Sequence, residues 1–222
     1  MKKCFAVGGG ALMLAAAFFF PCVHAQQKPL STATLAQRVD RHYNTLRSLK
    51  ANFIESYQGL GMTRTESGVL YLRKPGRMRW AYSQPKGKVF VLDGKFAWFY
   101  TTGDPQVQRV PAKELDDIRS PLRFLLGHTE LEKEMSHLSS APAADGEFTL
   151  SGQPKGQENR VTRISLTVTA EGAITGIEIQ EPDGSVTRFV FSHQEPNAVI
   201  AEDTFRFTPP KGIPIAEAPP PV

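Results

Sequence analysis

The residues of this chain that could perform acid–base, nucleophilic or metal chemistry are few and far apart. No Gly-x-Ser-x-Gly elbow, His-Glu-x-x-His pair, Gly-x-Gly-x-x-Gly turn or phosphate-binding loop occurs in the sequence. The histidines after residue 25 lack the spacing of a metal-ligand pair: His42, His128, His137 and His193. Asp116 and Asp117 are adjacent, so their carboxylates would diverge on a helix, which favours a solvated face or a cap. The sequence therefore predicts no enzyme, no catalytic residue, no metal and no cofactor.

The first 25 residues have the pattern of a secretory signal peptide. Lys2 and Lys3 precede an apolar run over residues 5–20, and residues 23–25 read Val-His-Ala, which resembles a small-x-small cleavage site. We therefore expect residues 1–25 to be cleaved during export.

Export would change both the charge and the thiol content of the chain. Removal of Lys2 and Lys3 lowers the formal net charge from +4 to +2, and no cluster of Lys and Arg suggests a nucleic-acid partner. Cys4 and Cys22 are the two cysteines, and both would be lost. The exported chain would then have no disulfide and no thiolate metal site.

An amphipathic helix is predicted after residue 29. Ser31 and the hydroxyl residues that follow it can cap the first turn. Apolar residues then recur at spacings of three and four, which places them on one helical stripe: Leu35, Val39, Tyr43, Leu46 and Leu49. We expect this helix to dock on the core of one domain at residues 26–212, followed by a flexible Pro-rich tail at residues 213–222.

The stretch over residues 68–100 organises the rest of the chain. Its apolar runs are separated by Lys-Pro-Gly, Gln-Pro-Lys-Gly and Asp-Gly, which is typical of an antiparallel meander. Alternation resumes after residue 147, whereas residues 139–145 are expected to form a loop and residues 205–210 a last short strand. About ten such strands would curl into a barrel or half-barrel that protects their edges.

The apolar side chains of this sheet allow two interpretations. Met78, Trp80 and Tyr82 share one face of a strand because side chains alternate with a period of two. They could form a packed core, or they could line an apolar ligand cavity. The apolar insert at residues 122–126 favours a cavity, since it could act as a removable cover. Alternation leaves open which face of the strand around Trp98 points inward.

Several short motifs follow one another along the chain. They are Phe53 with Tyr57 and Gln58, then Lys74-Pro75, Arg79-Trp80, Asp93-Gly94-Lys95, Trp98-Phe99-Tyr100, Ser120-Pro121 with Leu126, and Phe-Arg-Phe-Thr-Pro-Pro-Lys-Gly at residues 205–212. In composition and order these motifs resemble the periplasmic outer-membrane lipoprotein carrier family, the LolA-like proteins. The resemblance covers nearly all of the chain after residue 25.

The resemblance implies a fold and a function. The implied fold is mainly β (α+β): an unclosed antiparallel β-barrel of about ten or eleven strands, with an N-terminal helix and short helices that lid a hydrophobic cavity. The implied function is that of a periplasmic chaperone that shields the acyl chains of outer-membrane lipoproteins between the two membranes. The implied partners are acylated lipoproteins, an inner-membrane ATP-driven releasing complex and an outer-membrane lipoprotein receptor, with the chain itself a monomer.

The resemblance also implies site residues. The expected acyl-cavity residues are Leu35, Val39, Tyr43, Leu70, Leu72, Met78, Trp80, Tyr82, Val89, Val91, Trp98, Leu122, Phe124, Leu125, Leu166, Val168 and Phe189. Lys74 occupies the place of the family's lid latch, where a basic residue precedes the proline at the end of a strand. Well-studied members carry Arg there, and Lys cannot form the same two-pronged hydrogen bond.

Two other functions remain as alternatives. The first is a periplasmic domain of the same fold that senses lipids or lipoproteins in envelope-stress regulation. The second is a periplasmic hydrolase with an apolar pocket, which would need a nucleophile beside a base, such as a Ser–His pair.

Overall fold

The structure is a computed structural model, and it describes residues 30–115 and 129–217. The helices within these ranges are α1 (Thr32–Thr45), α2 (Ala112–Leu115) and α3 (Leu131–Glu134), with 3₁₀ turns at Ala144–Gly146 and Glu202–Phe205. The strands are β1 (Ser48–Gly59), β2 (Met62–Arg73), β3 (Arg77–Gln84), β4 (Lys88–Leu92), β5 (Phe96–Thr101), β6 (Val107–Pro111), β7 (Met135–Pro142), β8 (Phe148–Pro154), β9 (Arg163–Val168), β10 (Ile174–Gln180), β11 (Val186–Pro196) and β12 (Ile215–Glu217).

All of these strands belong to one sheet. Their order is β12-β6-β5-β4-β3-β2-β1-β11-β10-β9-β8-β7, so β12 and β7 are the two edges. Neighbouring strands are antiparallel except β12, which runs parallel to β6. The long strand β1 joins the two halves, because it pairs with β2 on one side and with β11 on the other. The mainly β, unclosed sheet with an N-terminal helix is confirmed.

Helix α1 begins as the sequence predicts and ends earlier. Ser31 caps it by accepting a hydrogen bond from the backbone N–H of Thr34 at 3.2 Å. Leu35, Val39 and Tyr43 are fully buried, which confirms their common stripe. The helix ends at Thr45, however, so the predicted extension of this stripe to Leu49 is wrong. Leu49 belongs to strand β1, where its side chain is buried on the inner face of the sheet.

Three segments differ from the sequence prediction. Residues 139–145 are not a loop, because β7 continues to residue 142. A register shift between Ser136 and Ser139, with His137 at a φ of 52°, interrupts the period-two pattern that would reveal the strand. Residues 205–210 form no strand; a 3₁₀ turn ends at Phe205. The expected free tail instead contributes β12, whose pairing with β6 is not local and leaves no sequence signal.

The two faces of the sheet are covered differently. One face, called here the inner face, packs with α1 in a single large apolar cluster. The opposite, outer face of β4–β6 carries a smaller cluster of Val91, Trp98 and Val107, against which Phe207 and Ile213 pack. The C-terminal segment therefore crosses the outer face. Arg79 supports it there by donating to backbone carbonyls at residues 204 and 206.

Candidate functional site

The apolar inner face is the feature that best fits a ligand site. Strand register sets it: Trp80 lies opposite Leu70 on β2 and opposite Phe90 on β4. Met78 lies in the same way between β2 and β4, two residues before Trp80 and nearer to helix α1. Because directly opposed side chains share a face, β2, β3 and β4 form one continuous apolar wall.

Five aromatic rings meet on this wall. The Trp80 ring lies 4.5 Å from the ring of Phe53 and 5.5 Å from that of Phe189, both in edge-on contacts. Phe191 is 6.2 Å from Trp80, and Tyr82 is 5.1 Å from Phe53. Edge-to-face contacts of this kind are favourable beyond the area that they bury. The aromatic cluster joins β1 and β3 to β11, which lies more than 100 residues further along the sequence.

Most of the predicted lining residues meet on the inner face. The structure brings together Leu35, Val39, Tyr43, Leu70, Leu72, Met78, Trp80, Leu166, Val168 and Phe189, with Tyr82 half-buried against them. Sequence reasoning missed the lining residues Phe53, Phe90, Leu150, Ile177 and Phe191. Phe191 carried a usable signal, since it follows Phe189 at the spacing of two that side chains on one face of a strand share. Phe53 is followed by the apolar Ile54, so alternation did not single it out.

Three predicted lining residues lie on the outer face, which corrects their assignment to the cavity. Val91 pairs with Trp98 across β4 and β5, and both belong to the outer-face cluster that Val89 also contacts. The reason is the period of two, because Phe90 faces Trp80 and its neighbours must face the other way. The same register places Ala97 and Phe99 inward, which settles the open choice on β5.

The predicted lid residues Leu122, Phe124 and Leu125 lie outside the described residues. The predicted latch, Lys74, lies within them, at the end of β2. Its Nζ donates a hydrogen bond to the Tyr43 carbonyl in the last turn of α1, and its backbone N–H donates to the Arg47 carbonyl at 2.9 Å. Carbonyls in the last turn of a helix lack a partner within the helix, so a cation there is stabilising. Lys74 thus fastens the end of α1 to the sheet.

We expect Lys74→Met to lower the free energy of unfolding by about 1–2 kcal/mol, because it removes a charge-assisted hydrogen bond to Tyr43. Burial lowers the pKa of His42, and the Lys74 charge lowers it further. The same variant should therefore raise the pKa of His42, measured by NMR titration. Lys50→Met removes an exposed ion pair with Glu195 and serves as the control, with a smaller loss, because solvent screens exposed ion pairs. Equal losses for the two variants would contradict the assigned contact.

A charged network lies on the inner face beside the aromatic cluster. Glu55 and Glu66 are directly opposed across β1 and β2, and Lys88 and Arg64 (Nε at 3.3 Å) pair with Glu66. The Tyr82 hydroxyl donates to Oε2 of Glu55 at 3.1 Å. Sequence analysis missed this charged network, because β1 and β2 alternate too weakly at these positions to assign Glu55 and Glu66 to the buried side.

The Glu55 carboxyl lies in an environment that disfavours its ionised form. Burial raises its pKa, and Glu66 adds to the rise, whereas Lys88, the Tyr82 hydroxyl and Arg64 oppose it. Because the folded-state pKa exceeds the unfolded one, ionisation of Glu55 takes stability from the fold as the pH rises through that folded value. Below the unfolded pKa the carboxyl is neutral in both states, and the loss is absent.

We therefore expect Glu55→Gln to increase the free energy of unfolding at pH 7, and the increase to disappear below about pH 4. The Gln carbonyl can still accept the Tyr82 hydroxyl bond, so the variant isolates the charge. Urea midpoints at the two pH values measure the effect. Glu195→Gln, on the exposed outer face, is the control. A loss of stability for Glu55→Gln at pH 7 would show that the ionised carboxylate is net stabilising.

The described residues offer little for other chemistry. One Ser–His contact is present: Nδ1 of His193 lies 3.3 Å from Oγ of Ser192. The two residues are adjacent and exposed, and the same Nδ1 lies 3.4 Å from the Asn52 amide, which is a poor arrangement for an activated nucleophile. Residues 30–115 and 129–217 hold no group of three metal-ligating side chains. Over the same ranges, no helix is long and apolar enough to cross a membrane.

Comparison with known proteins agrees with this geometry. Residues 44–208 match the family described as outer membrane lipoprotein carrier protein LolA. An outer-membrane lipoprotein carrier protein of Nitrosospira multiformis is 30% identical over 171 residues, which cover 75% of this chain and 81% of the relative. The protein of the same name from Chromobacterium violaceum is 31% identical over 167 residues, covering 75% and 80%.

Among solved structures, an uncharacterized conserved protein from Thermus thermophilus superposes with a TM-score of 0.53 at 14% identity. The superposition covers 84% of this chain and 98% of that one, and it shows a shared fold.

Proposed function

The chain belongs to the LolA family of outer membrane lipoprotein carrier proteins, and from this premise we propose that it carries acylated outer-membrane lipoproteins through the periplasm. The acyl chains are shielded by the apolar inner face of the sheet. The observation that carries the proposal is the continuous wall around Trp80, which joins β1, β3 and β11 in one aromatic cluster.

The energetics of acyl burial fit a carrier that must also release its cargo. Each buried methylene is worth roughly 0.8 kcal/mol, so full burial of several acyl chains would hold them almost irreversibly. In the structure the inner-face side chains already bury one another, and Trp80 is only 2% exposed. Cargo must therefore replace contacts that the empty protein makes with itself. This competition lowers the net affinity and allows release without a nucleotide in the carrier.

Several finer elements belong to the same proposal. Residues 1–25 act as the export signal, and the mature chain works in the periplasm. It receives cargo from an ATP-driven complex in the inner membrane and passes it to a lipoprotein receptor at the outer membrane. Residues 120–126 act as the lid, with Leu122, Phe124 and Leu125 toward the cargo, and Lys74 acts as the latch through its bond to the end of α1.

The test is a release assay with spheroplasts. The purified mature chain is incubated with spheroplasts, and the soluble fraction is analysed by mass spectrometry for proteins that carry an acylated N-terminal cysteine. We expect acylated lipoproteins to co-purify with the chain, and none to appear with buffer or with an unrelated periplasmic protein. A soluble fraction without acylated protein would refute the carrier function.

A further inference from the structure

The inner face does not stay apolar along its whole length. From the α1 end, the inner-face pairs across β1 and β2 are Leu49–Leu72, Ala51–Leu70, Phe53–Gly68, Glu55–Glu66 and Tyr57–Arg64. The first three pairs carry no charge, and the fourth pair places two carboxylates directly opposite each other. On these two strands the apolar wall therefore ends at the Phe53–Gly68 pair, and the charges begin at the next inward-facing pair.

The charged network at this end pairs two largely buried carboxylates with partly exposed cations. The Glu66 side chain is 5% exposed and pairs with Lys88 and Arg64, whose side chains are 27% and 55% exposed. The Lys88 Nζ also lies 4.4 Å from the centre of the Tyr82 ring. The network thus extends from a buried carboxylate pair to solvent, across strands β1 to β4.

The charged network also borders the aromatic cluster directly. Tyr82 belongs to both, since its ring contacts Phe53 while its hydroxyl donates to Glu55. On the other side of β1, Phe189 stands opposite Glu55. A ligand that follows the aromatic rings away from α1 would meet the charged network next.

We propose that the charged network of Glu55, Glu66, Lys88, Arg64 and Tyr82 ends the acyl-binding space and so sets the length of acyl chain that the interior holds. This inference rests on the proposed carrier function and names a specificity determinant of the same site. The ligand class is a saturated acyl chain that runs along the inner face from the α1 end toward Glu55.

The physical reason is the contrast between the two regions. Along the apolar part of the inner face, each methylene added to the acyl chain moves from water to an apolar wall, which raises the affinity about fourfold. A methylene beyond Phe53 meets paired charges instead, and it can only displace the water that solvates Lys88 and Arg64. Separating Lys88 from Glu66 to make room would leave a buried carboxylate without its counter-charge, which is strongly unfavourable.

The first arm of the test uses the wild-type mature chain. Short lipopeptides of sequence Cys-Ser-Lys-Lys, each with one saturated N-acyl chain of about 8 to about 20 carbons, are titrated by calorimetry. We expect affinity to rise about fourfold per methylene up to a limiting length and by less than about twofold per methylene beyond it. An undiminished rise through the longest chain would overturn the inference and leave the carrier function intact. Absence of binding at every length would contradict the carrier function itself, and the inference with it.

The second arm replaces the charged network with apolar residues of similar size. The variant Glu55→Leu/Glu66→Leu/Lys88→Met/Tyr82→Phe removes both carboxylates together with Lys88, because removing one partner alone would strand a buried charge. Arg64 is kept, since its side chain is 55% exposed and its charge stays in solvent. It lengthens the apolar wall by two residues per strand, or roughly 7 Å. We expect the limiting chain length to increase by at least two carbons. An unchanged limit in a folded variant, as judged by near-ultraviolet circular dichroism, would overturn the inference.

A matched control comes from the opposite face of β1 and its other neighbour, β11. Lys50 on β1 pairs with Glu195 on β11 at 2.9 Å, and both side chains are exposed. The variant Lys50→Met/Glu195→Leu also replaces a cross-strand ion pair with apolar residues. It should leave the limiting chain length at the wild-type value. A shift equal to that of the charged-network variant would contradict the assignment of the length limit to the charged network.

Discussion

Trp80→Ala is expected to lower the free energy of unfolding by about 3–5 kcal/mol and to abolish lipoprotein release from spheroplasts. Trp80 is the residue where the aromatic cluster converges, since its ring contacts Phe53, Phe189 and Phe191. Removing the indole leaves a large cavity and deprives three rings of their shared partner. Denaturant unfolding followed by circular dichroism measures the first effect, and the spheroplast assay measures the second. The assay is run at a temperature where the variant is fully folded.

The control for Trp80→Ala must be a substitution that causes a similar loss of stability away from the inner face. Phe205 is 2% exposed, and its ring lies under the Arg73 guanidinium at 5.1 Å, away from the inner face. Phe205→Ala should lose about 3–5 kcal/mol of stability and still release lipoprotein. If Trp80→Ala released lipoprotein as well as Phe205→Ala does, the inner face would not be the acyl-binding surface. If both failed while folded, loss of stability rather than loss of the wall would explain the result.

Gly172→Ala is expected to lower the melting temperature by about 6–12 °C, through a loss of about 3 kcal/mol. Gly172 lies in the turn between β9 and β10 and has a φ of 95°, which disfavours any side chain. A Cβ there would lie 2.4 Å from the backbone carbonyl of Arg38 and 2.6 Å from the backbone nitrogen of Val39. Backbone atoms cannot rotate away, so α1 must shift from its place on the inner face.

Gly184 distinguishes the two causes of the stability loss at Gly172, which are the positive φ and the collision with the backbone of α1. It occupies the turn between β10 and β11 with a φ of 86°, and an added Cβ would meet nothing within 4 Å. Gly184→Ala therefore keeps the conformational penalty, about 1 kcal/mol or 2–4 °C, and lacks the collision. Thermal unfolding by calorimetry compares the two variants. Equal shifts would mean that the close approach of α1 to the β9–β10 turn contributes nothing.

Local pattern was sufficient for most of the individual elements. The bounds of β4 and β10 follow from apolar stretches between turn residues, and the start of α1 follows from its Ser31 cap. Alternation also placed Met78 and Trp80 on one face correctly, since neighbours in a strand must diverge. The order of motifs along the chain identified the family, because it depends on residue types and spacing alone.

The pairing of distant strands decided the rest. Whether Trp98 or Phe99 points inward depends on register against β4, which no window of sequence around β5 contains. Strand β12 exists because residues 215–217 meet β6 more than 100 residues away, and the Pro-rich composition there predicts a free tail. The charged network arises in the same way, since Glu55 and Glu66 become a buried pair only when β1 folds back on β2 and Lys88 arrives from β4. By itself the sequence determined which residues alternate and which turn, because these are local properties of the backbone. Only the tertiary structure decided which side chains share an interior, because that depends on contacts between segments far apart in the chain.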